Sequence, residues 1–321
     1  LPGHGFFWFR LADDVEPPQW HTDRLPVEDL QVLVLFDGWN TFFRDRVVPW
    51  RIALAERTRQ QLETVVLPAF MRRQRWYPAK SERLDRVTVH DHALFHDNGP
   101  EWLLGIVDAP TAAGSARYFL PLSIAFGDED DERMRPLASL ALSKVREKAE
   151  TGLLADAIGD EPFCRALLRL VGQRGTVTTE HGSVNGVPGN RFAAHVGQAL
   201  DAPLTLQRLT ISSNSVCLLG ERLFLKFYRR LHPGQSIELE IGRFLTDVVS
   251  FAHSVPVLGH AEYRAGDHPP CTIALLQAQV DHPGDAWTFV VDQLSRIFES
   301  SIAAHPGDAS RPSVDVEIDA V

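Results

Sequence analysis

Lys226 stands in the run Arg222-Leu223-Phe224-Leu225-Lys226-Phe227-Tyr228, an ammonium set inside an aromatic strand. Alternation along such a strand puts Leu223, Leu225 and Phe227 on one sheet face and Phe224, Lys226 and Tyr228 on the other. Downstream, Ser236 opens a helical pattern in which Ile237, Ile241, Phe244, Leu245 and Val248 form the apolar stripe and Glu240 sits on its flank. A carboxylate in that position needs a cation close by. An ammonium steadied by an acid at the edge of a sheet suits a polyphosphate, because the cation neutralises phosphate oxygens while the acid fixes the cation. The loop ahead of the strand, Ile211-Ser212-Ser213-Asn214-Ser215, offers hydroxyls and backbone N–H groups to the same anion, although it has no glycine. Each feature also has a plainer reading. A lone strand lysine commonly guards an exposed edge, and a helix-flank glutamate is commonly a solvated acid.

The elements that must position these groups are legible around them. Val216–Leu219 and Leu223–Tyr228 read as two strands joined at Gly220-Glu221, a two-residue type II′ hairpin with glycine first. Hairpin, strand lysine, then helix glutamate is the order in which a kinase small lobe assembles its ATP site. Thr272 to Leu276 reads as a buried strand running into Gln277-Ala278-Gln279-Val280, where backbone groups of an interlobe hinge would face adenine. A further helix is expected from Trp287 to Ile302.

Upstream, an aromatic strand is expected at Gly5 to Leu11 and another at Leu30 to Phe36. Leu62, Val65, Val66, Ala69 and Phe70 keep a helical period that Pro68 should kink or restart. Short strands at His90–Phe95, Trp102–Val107 and Tyr118–Leu122 predict a small antiparallel sheet. Asp160 is placed to cap a helix carrying Phe163, Ala166, Leu167, Leu170 and Val171. The fold class expected is α+β.

Composition narrows the partners. Lys and Arg number 32 against 42 Asp and Glu, a formal charge of −10, which disfavours nucleic acid because phosphate-backbone affinity needs clustered cations. No run reaches the length of a membrane span and no export signal opens the sequence, so no membrane partner is expected. Cys164, Cys217 and Cys271 are widely spaced in apolar contexts, as buried thiols of a reducing cytoplasm are. The acidic run at 127–133 lacks the spacing of a calcium loop. His90, His92 and His96 are explained by an alternating strand with exposed imidazoles, so no metal ligand is assigned. No Ser-His-Asp, CxxC or Walker signature occurs, and no catalytic residue is assigned.

Taken in order, Gln74-Arg75-Trp76-Tyr77, Ser213-Asn214-Ser215-Val216, Leu225-Lys226-Phe227-Tyr228-Arg229-Arg230-Leu231, Glu240-Ile241-Gly242-Arg243-Phe244-Leu245 and Gly284-Asp285-Ala286-Trp287 resemble the bacterial maltokinases. Gly5-Phe6-Phe7-Trp8-Phe9-Arg10-Leu11 and Leu33-Val34-Leu35-Phe36-Asp37-Gly38-Trp39 look like the C-terminal end of trehalose synthases, which are often fused to maltokinases. Two places depart from the pattern: Tyr77-Pro78-Ala79-Lys80 has no glycine, and the segment before Val216 reads Ile-Ser-Ser-Asn-Ser.

The resemblance implies an aminoglycoside-phosphotransferase-like kinase that transfers phosphate from ATP, with Mg²⁺, to maltose, giving maltose 1-phosphate. It implies four segments: a synthase end and connector at 1–50, a cystatin-like cap at 51–126, a small ATP lobe at 127–280 and the start of a large lobe at 281–321. Lys226 would be the phosphate lysine, Glu240 its partner, Ser212, Ser213, Asn214 and Ser215 the phosphate loop, and Gln277, Gln279 and Val280 part of the hinge. The family's catalytic aspartate and metal-binding aspartate belong to a large-lobe loop with no counterpart between Trp287 and Val321. The sequence therefore reads as a fragment of an active parent kinase, itself not turning over and binding nucleotide at best weakly. Expected partners are ATP, maltose and a synthase domain in cis, with a homo-oligomer left open. A scaffold joining synthase to kinase is the alternative. Glucosylmutase activity in the chain itself is a poor third, since its acid and nucleophile belong to a barrel.

Overall fold

Leu33 and Leu35 are buried and Val32 and Val34 exposed in Val32–Leu35 (β1), the alternation of a strand with one face on a core. The computed structural model describes residues 30–80, 82–111, 114–127, 133–197, 200, 204–209, 215–280 and 286–304. The aromatic strand expected at 5–11 lies outside them. So do Ser212, Ser213, Asn214 and residues 281–285.

β1 runs parallel to Ala141–Glu147 (β5) at the edge of a six-stranded sheet. Its other strands, Thr88–His96 (β2), Glu101–Thr111 (β3), Gly114–Phe126 (β4) and Glu150–Asp156 (β6), pair antiparallel in the order β1-β5-β6-β4-β3-β2. This sheet draws strands from three of the four segments expected from sequence.

Helices Ile52–Gln61 (α1) and Leu67–Arg73 (α2) are joined through a π-helical turn at Leu62–Val66. The wider turn shifts the buried face to Leu62, Glu63, Val66, Leu67, Phe70 and Met71. Val65 and Ala69, expected inside, are exposed for that reason.

The second sheet has seven antiparallel strands: Thr176–Thr178 (β7), Gly182–Pro188 (β8), Leu206–Leu209 (β9), Ser215–Leu219 (β10), Leu223–Phe227 (β11), Val257–Ala265 (β12) and Cys271–Ala278 (β13). Their order is β7-β8-β12-β13-β11-β10-β9. The β10–β11 connection has three residues, Gly220–Arg222, because Leu219 pairs with Leu223. Gly220 sits at φ +50°, so glycine is needed as expected, but the turn is not the two-residue type.

Between the sheets lies Glu161–Gly172 (α4), buried almost all round by Phe163, Cys164, Ala166, Leu167, Leu168, Leu170 and Val171. Gly186 of β8 lets the α4 backbone approach; a Cβ there would stand 2.3 Å from the Leu170 carbonyl oxygen. Asp160 occupies the N-cap position, yet its carboxylate accepts from Trp102 Nε1, Ser123 Oγ and Arg133 instead of the helix N–H groups. It ties β3 and β4 to the start of α4. Ile237–Arg243 (α6) covers the far face of the second sheet through Leu239, which packs on Val257 and Leu275. Two short helices, Met134–Ala138 (α3) and Phe192–Val196 (α5), complete this unit. Ala286–Ala304 (α7) belongs to a separate unit beginning at Val280.

The stripe expected on α6 is not its buried face. Ile237, Ile241, Phe244 and Val248 are exposed, whereas Leu239 and Thr246 are buried. Hydrogen bonds set that rotation: Ser236 Oγ accepts from the Leu239 N–H, and Thr246 Oγ1 from the Val257 N–H.

Two polar junctions join the sheets. Arg229, just past β11, is fully buried against Asp156 at the end of β6; it also donates to Ser215 Oγ and lies over the Trp76 ring. Around it, the Phe119 N–H bonds to the Arg229 carbonyl and the Leu231 N–H to the Arg117 carbonyl. At the other end, Asp91 of β2 accepts from Thr179 Oγ1, the Tyr263 hydroxyl and the N–H groups of His92 and His181. Burial acts to raise the Asp91 pKa, but these four donors outweigh it and hold the carboxyl below its ordinary value. A register shift between Val89 and Asp91 makes Asp91, His92 and Ala93 all buried. His92 is therefore inside, where an exposed imidazole was expected.

Removing one partner of a buried ion pair strands the other charge, so Asp156→Asn or Arg229→Met should each cost about 3–5 kcal/mol in urea denaturation. The double Arg229→Met/Asp156→Leu variant should recover much of that loss. Buried His260 on β12 has a pKa held below the usual 6.5, chiefly by burial and with Arg243 adding to it against the pull of Glu262. The unfolded chain then takes up protons first as pH falls below about 6.5, so stability should be full above that value and decline below it. Urea midpoints between pH 7.5 and 5.5 should show a shallower decline in His260→Phe.

Candidate functional site

Alternation along β11 is as the residue pattern requires. Leu223, Leu225 and Phe227 are buried in the core shared with α4, while Phe224 and Lys226, with Tyr228 just beyond the strand, lie half-buried on the face that α6 covers. The side chains opposite them, Gln277 and Leu275 of β13, share that face because directly paired residues point the same way.

The acid that meets the lysine comes from the first turn of α6. Lys226 Nζ lies 2.5 Å from Glu238 Oε2, and the Tyr228 hydroxyl donates to the same oxygen at 2.8 Å. The ammonium also stands 5.4 Å from the centroid of the Tyr228 ring. Glu240, expected in this role, is exposed. The cause is the helix rotation already described, which turns Leu239 inward.

Glu238 was legible in one respect. Helix side chains lean toward the N-terminus, so the second helical residue after a Ser236 cap is directed back at the strand that precedes the helix. The cap loop is itself anchored, with the Ser236 N–H bonding to Thr272 Oγ1 of β13.

Burial first, then the Glu238 carboxylate, pushes the Tyr228 phenol well above its ordinary pKa, so it stays a neutral donor. The Lys226 side chain is 18% exposed and that of Glu238 39%, so the pair is open to solvent on one side. A lysine ammonium has three N–H donors and Glu238 takes one. Next to the pair a cavity of about 340 Å³ is lined by Tyr228, Ser236, Ile237, Glu238 and Thr272 among others.

The remaining expected residues are not all gathered here. Ser215 pairs with Phe227, hence on the opposite face from Lys226, and its hydroxyl accepts from Arg229 Nε at 2.8 Å. It serves the sheet junction. Ser212, Ser213 and Asn214 fall outside the described residues. Gln277 is half-buried on the lysine face, and the Gln279 N–H bonds to the Arg222 carbonyl at the end of the hairpin. Val280 is exposed and begins the second unit.

Residues 70–160 match the sequence profile of the maltokinase N-terminal cap domain, a span from α2 through β6 to the residue before α4. No curated protein matches the chain. Among solved structures, a glucosamine kinase in complex with glucosamine, ADP and inorganic phosphate is 17% identical with a TM-score of 0.40, the match covering 74% of this chain and 44% of that one. Crystal form B of glucosamine kinase gives 17% identity, a TM-score of 0.39, and coverage of 75% and 45%. The chain thus spans less than half the length of the glucosamine kinases it matches. The cap-domain match supports a maltokinase-like kinase.

If Glu238 holds the lysine, Glu238→Gln should free it and speed its labelling by an amine-reactive reagent. Glu240→Gln should leave the rate unchanged. Mass-spectrometric footprinting of the peptide carrying Lys226 measures both.

Proposed function

We propose that the chain is the nucleotide-binding part of a sugar kinase of the maltokinase type, transferring the γ-phosphoryl group of ATP to maltose. The observation that carries this reading is the Lys226–Glu238 pair, set on a strand and the following helix in a chain whose residues 70–160 match a maltokinase cap. In this reading the first sheet with α1 and α2 is the cap, and the second sheet with α6 is the small lobe of an aminoglycoside-phosphotransferase-like kinase.

The residues in hand account for charge and position. The free N–H donors of Lys226 meet non-bridging oxygens of the α- and β-phosphates, and Glu238, braced by Tyr228, keeps the ammonium from swinging away. The backbone from Gln277 to Val280 would take the adenine edge, and the Ser212–Asn214 loop would lie over the phosphates. In the whole kinase the maltose anomeric hydroxyl would attack the γ-phosphorus, its proton passing to a base outside the described residues, as the bond to the β–γ bridging oxygen breaks and ADP leaves. Among the described residues, the single group of three side chains spaced to hold a metal, Asp91, Glu180 and His181, lies at the β2–β7 junction and not at Lys226. Among the described residues no such group stands beside Lys226.

By the same reading residues 1–50 connect to a synthase domain in cis and the protein works in the cytoplasm. Among the described residues no helix is long and apolar enough to cross a membrane.

Titration of the chain with a fluorescent ATP analogue tests the proposal. Lys226→Ala and Glu238→Gln should each weaken binding at least tenfold. Affinity indifferent to both substitutions would leave the scaffold reading in its place.

A further inference from the structure

β2 closes one side of the first sheet and β7 one side of the second, so each has an edge with no partner strand among the described residues. The two edges meet once, where the Glu180 N–H bonds to the His92 carbonyl at 3.1 Å. A strand residue sends its N–H and C=O to the same side, and successive residues alternate, so bonds already made fix the direction of the rest. On β2 the Asp97 N–H turns inward to the Pro100 carbonyl of the hairpin, and the His92 carbonyl turns outward; Leu94 and His96 therefore also face away from β3. On β7 the Gly175 carbonyl accepts from Gly186 and the Thr179 N–H donates to Gly182, both in β8. Thr176 and Thr178 are left facing away from β8, toward β2.

The His92–Glu180 bond sets an antiparallel register that would oppose Leu94 to Thr178 and His96 to Thr176. That ladder does not form. Among the described residues none of these four has a backbone hydrogen bond across the gap. Two cavities open there, both bordered by Leu94, His96 and Thr178. One of about 480 Å³ lies toward α4, and one of about 290 Å³ lies toward Asp45, Arg46 and Glu180. Open backbone groups on both sides of one slot are what a single extended chain satisfies, because its own N–H and C=O groups alternate between the two edges.

We propose that the gap between β2 and β7 receives an extended peptide of a partner protein, added as a strand that joins the two sheets, with apolar and basic residues alternating along it. Side chains of the incoming strand point in turn toward α4 and away from it. Toward α4 the wall is Phe95, Ala166, Leu170 and Val177, which suits a Val or Ile side chain. On the other side two carboxylates, Asp45 and Glu180, stand against one guanidinium, that of Arg46, which lies 5.5 Å from the centroid of the Phe43 ring. A Lys or Arg side chain complements that balance, and Glu180 is half exposed to meet it. The slot is separate from Lys226, since β8, β12 and β13 stand between β7 and β11, so it goes beyond the kinase reading and does not depend on it.

Fluorescence polarisation of a labelled peptide of alternating valine and lysine, titrated with the whole chain, tests this. Saturable one-to-one binding is expected, with amide hydrogen exchange slowed at Leu94, His96, Thr176 and Thr178. The same peptide N-methylated at every second residue keeps its charge and loses the N–H groups for one edge, so it should bind at least tenfold more weakly. Thr178→Pro removes a donor that faces the gap and takes no part in the β7–β8 ladder, an edge position where proline is tolerated. It should fold, as circular dichroism would show, and weaken binding at least tenfold. Glu180→Gln should weaken binding several-fold. Absence of binding, equal binding of the N-methylated peptide, or binding indifferent to Thr178→Pro or to Glu180→Gln would each overturn the proposal. So would a dimer that Thr178→Pro dissolves, because a second copy of the chain would then fill the gap.

Discussion

A guanidinium and a carboxylate with no access to water hold the two sheets of this protein in register. Arg229 leaves the end of β11 and Asp156 ends β6, so their contact joins the strand that carries Lys226 to an interior strand of the six-stranded sheet. Desolvating both charges is expensive, and the pair is tolerable only because the remaining donors and lone pairs are used: Ser215 Oγ, the Phe119 carbonyl and the Ile158 N–H all take part. Such a pair is poor as a source of net stability and good as a specification. It fits one relative placement of the sheets, and a slip by one residue would leave two buried charges unmatched.

That constraint reaches the site through very few bonds. Tyr228 and Arg229 are adjacent, one turned to Glu238 and the other to Asp156, so the backbone that orients the ion pair also orients the phenol that braces the carboxylate. Ser215 belongs to the same arrangement. In sequence its hydroxyl looks like a phosphate ligand, yet the pleat assigns it to the core face, where Arg229 uses it.

Part of the second sheet was legible: β10, β11 and β13 were expected, and β11 alternates cleanly, so period two leaves little choice of face there, whereas β7, β8 and β12 carry no such signal, β12 being buried on both faces along most of its length. Lys226, Phe224 and Tyr228 stand where alternation puts them. Features set by rotation and not by period were less legible. Two π-helical turns, at Leu62–Val66 and Phe244–Val248, change the phase of helices whose apolar residues suggested an ordinary stripe. The side chains taken for the inner face of α6 point outward, and with them moved the choice between Glu238 and Glu240. His92 shows the same limit in a strand, since one register shift turned an expected surface imidazole into a buried one. Asp160 shows it at a cap, where the position was readable but the partners came from β3 and β4, far away in sequence.

The Lys226 pair sets a condition on any anion it receives. An ammonium already 2.5 Å from a carboxylate gains less from a phosphate than a bare one would, since Glu238 has neutralised part of its charge. What the acid supplies instead is direction: a four-carbon side chain free to rotate would have to be ordered on binding, at a cost near 2 kcal/mol of rotamer entropy. Held by Glu238 and flanked by the Tyr228 ring, Lys226 has that ordering in place before a ligand arrives. The acid also discriminates, because its own charge repels an anion that does not engage the ammonium directly.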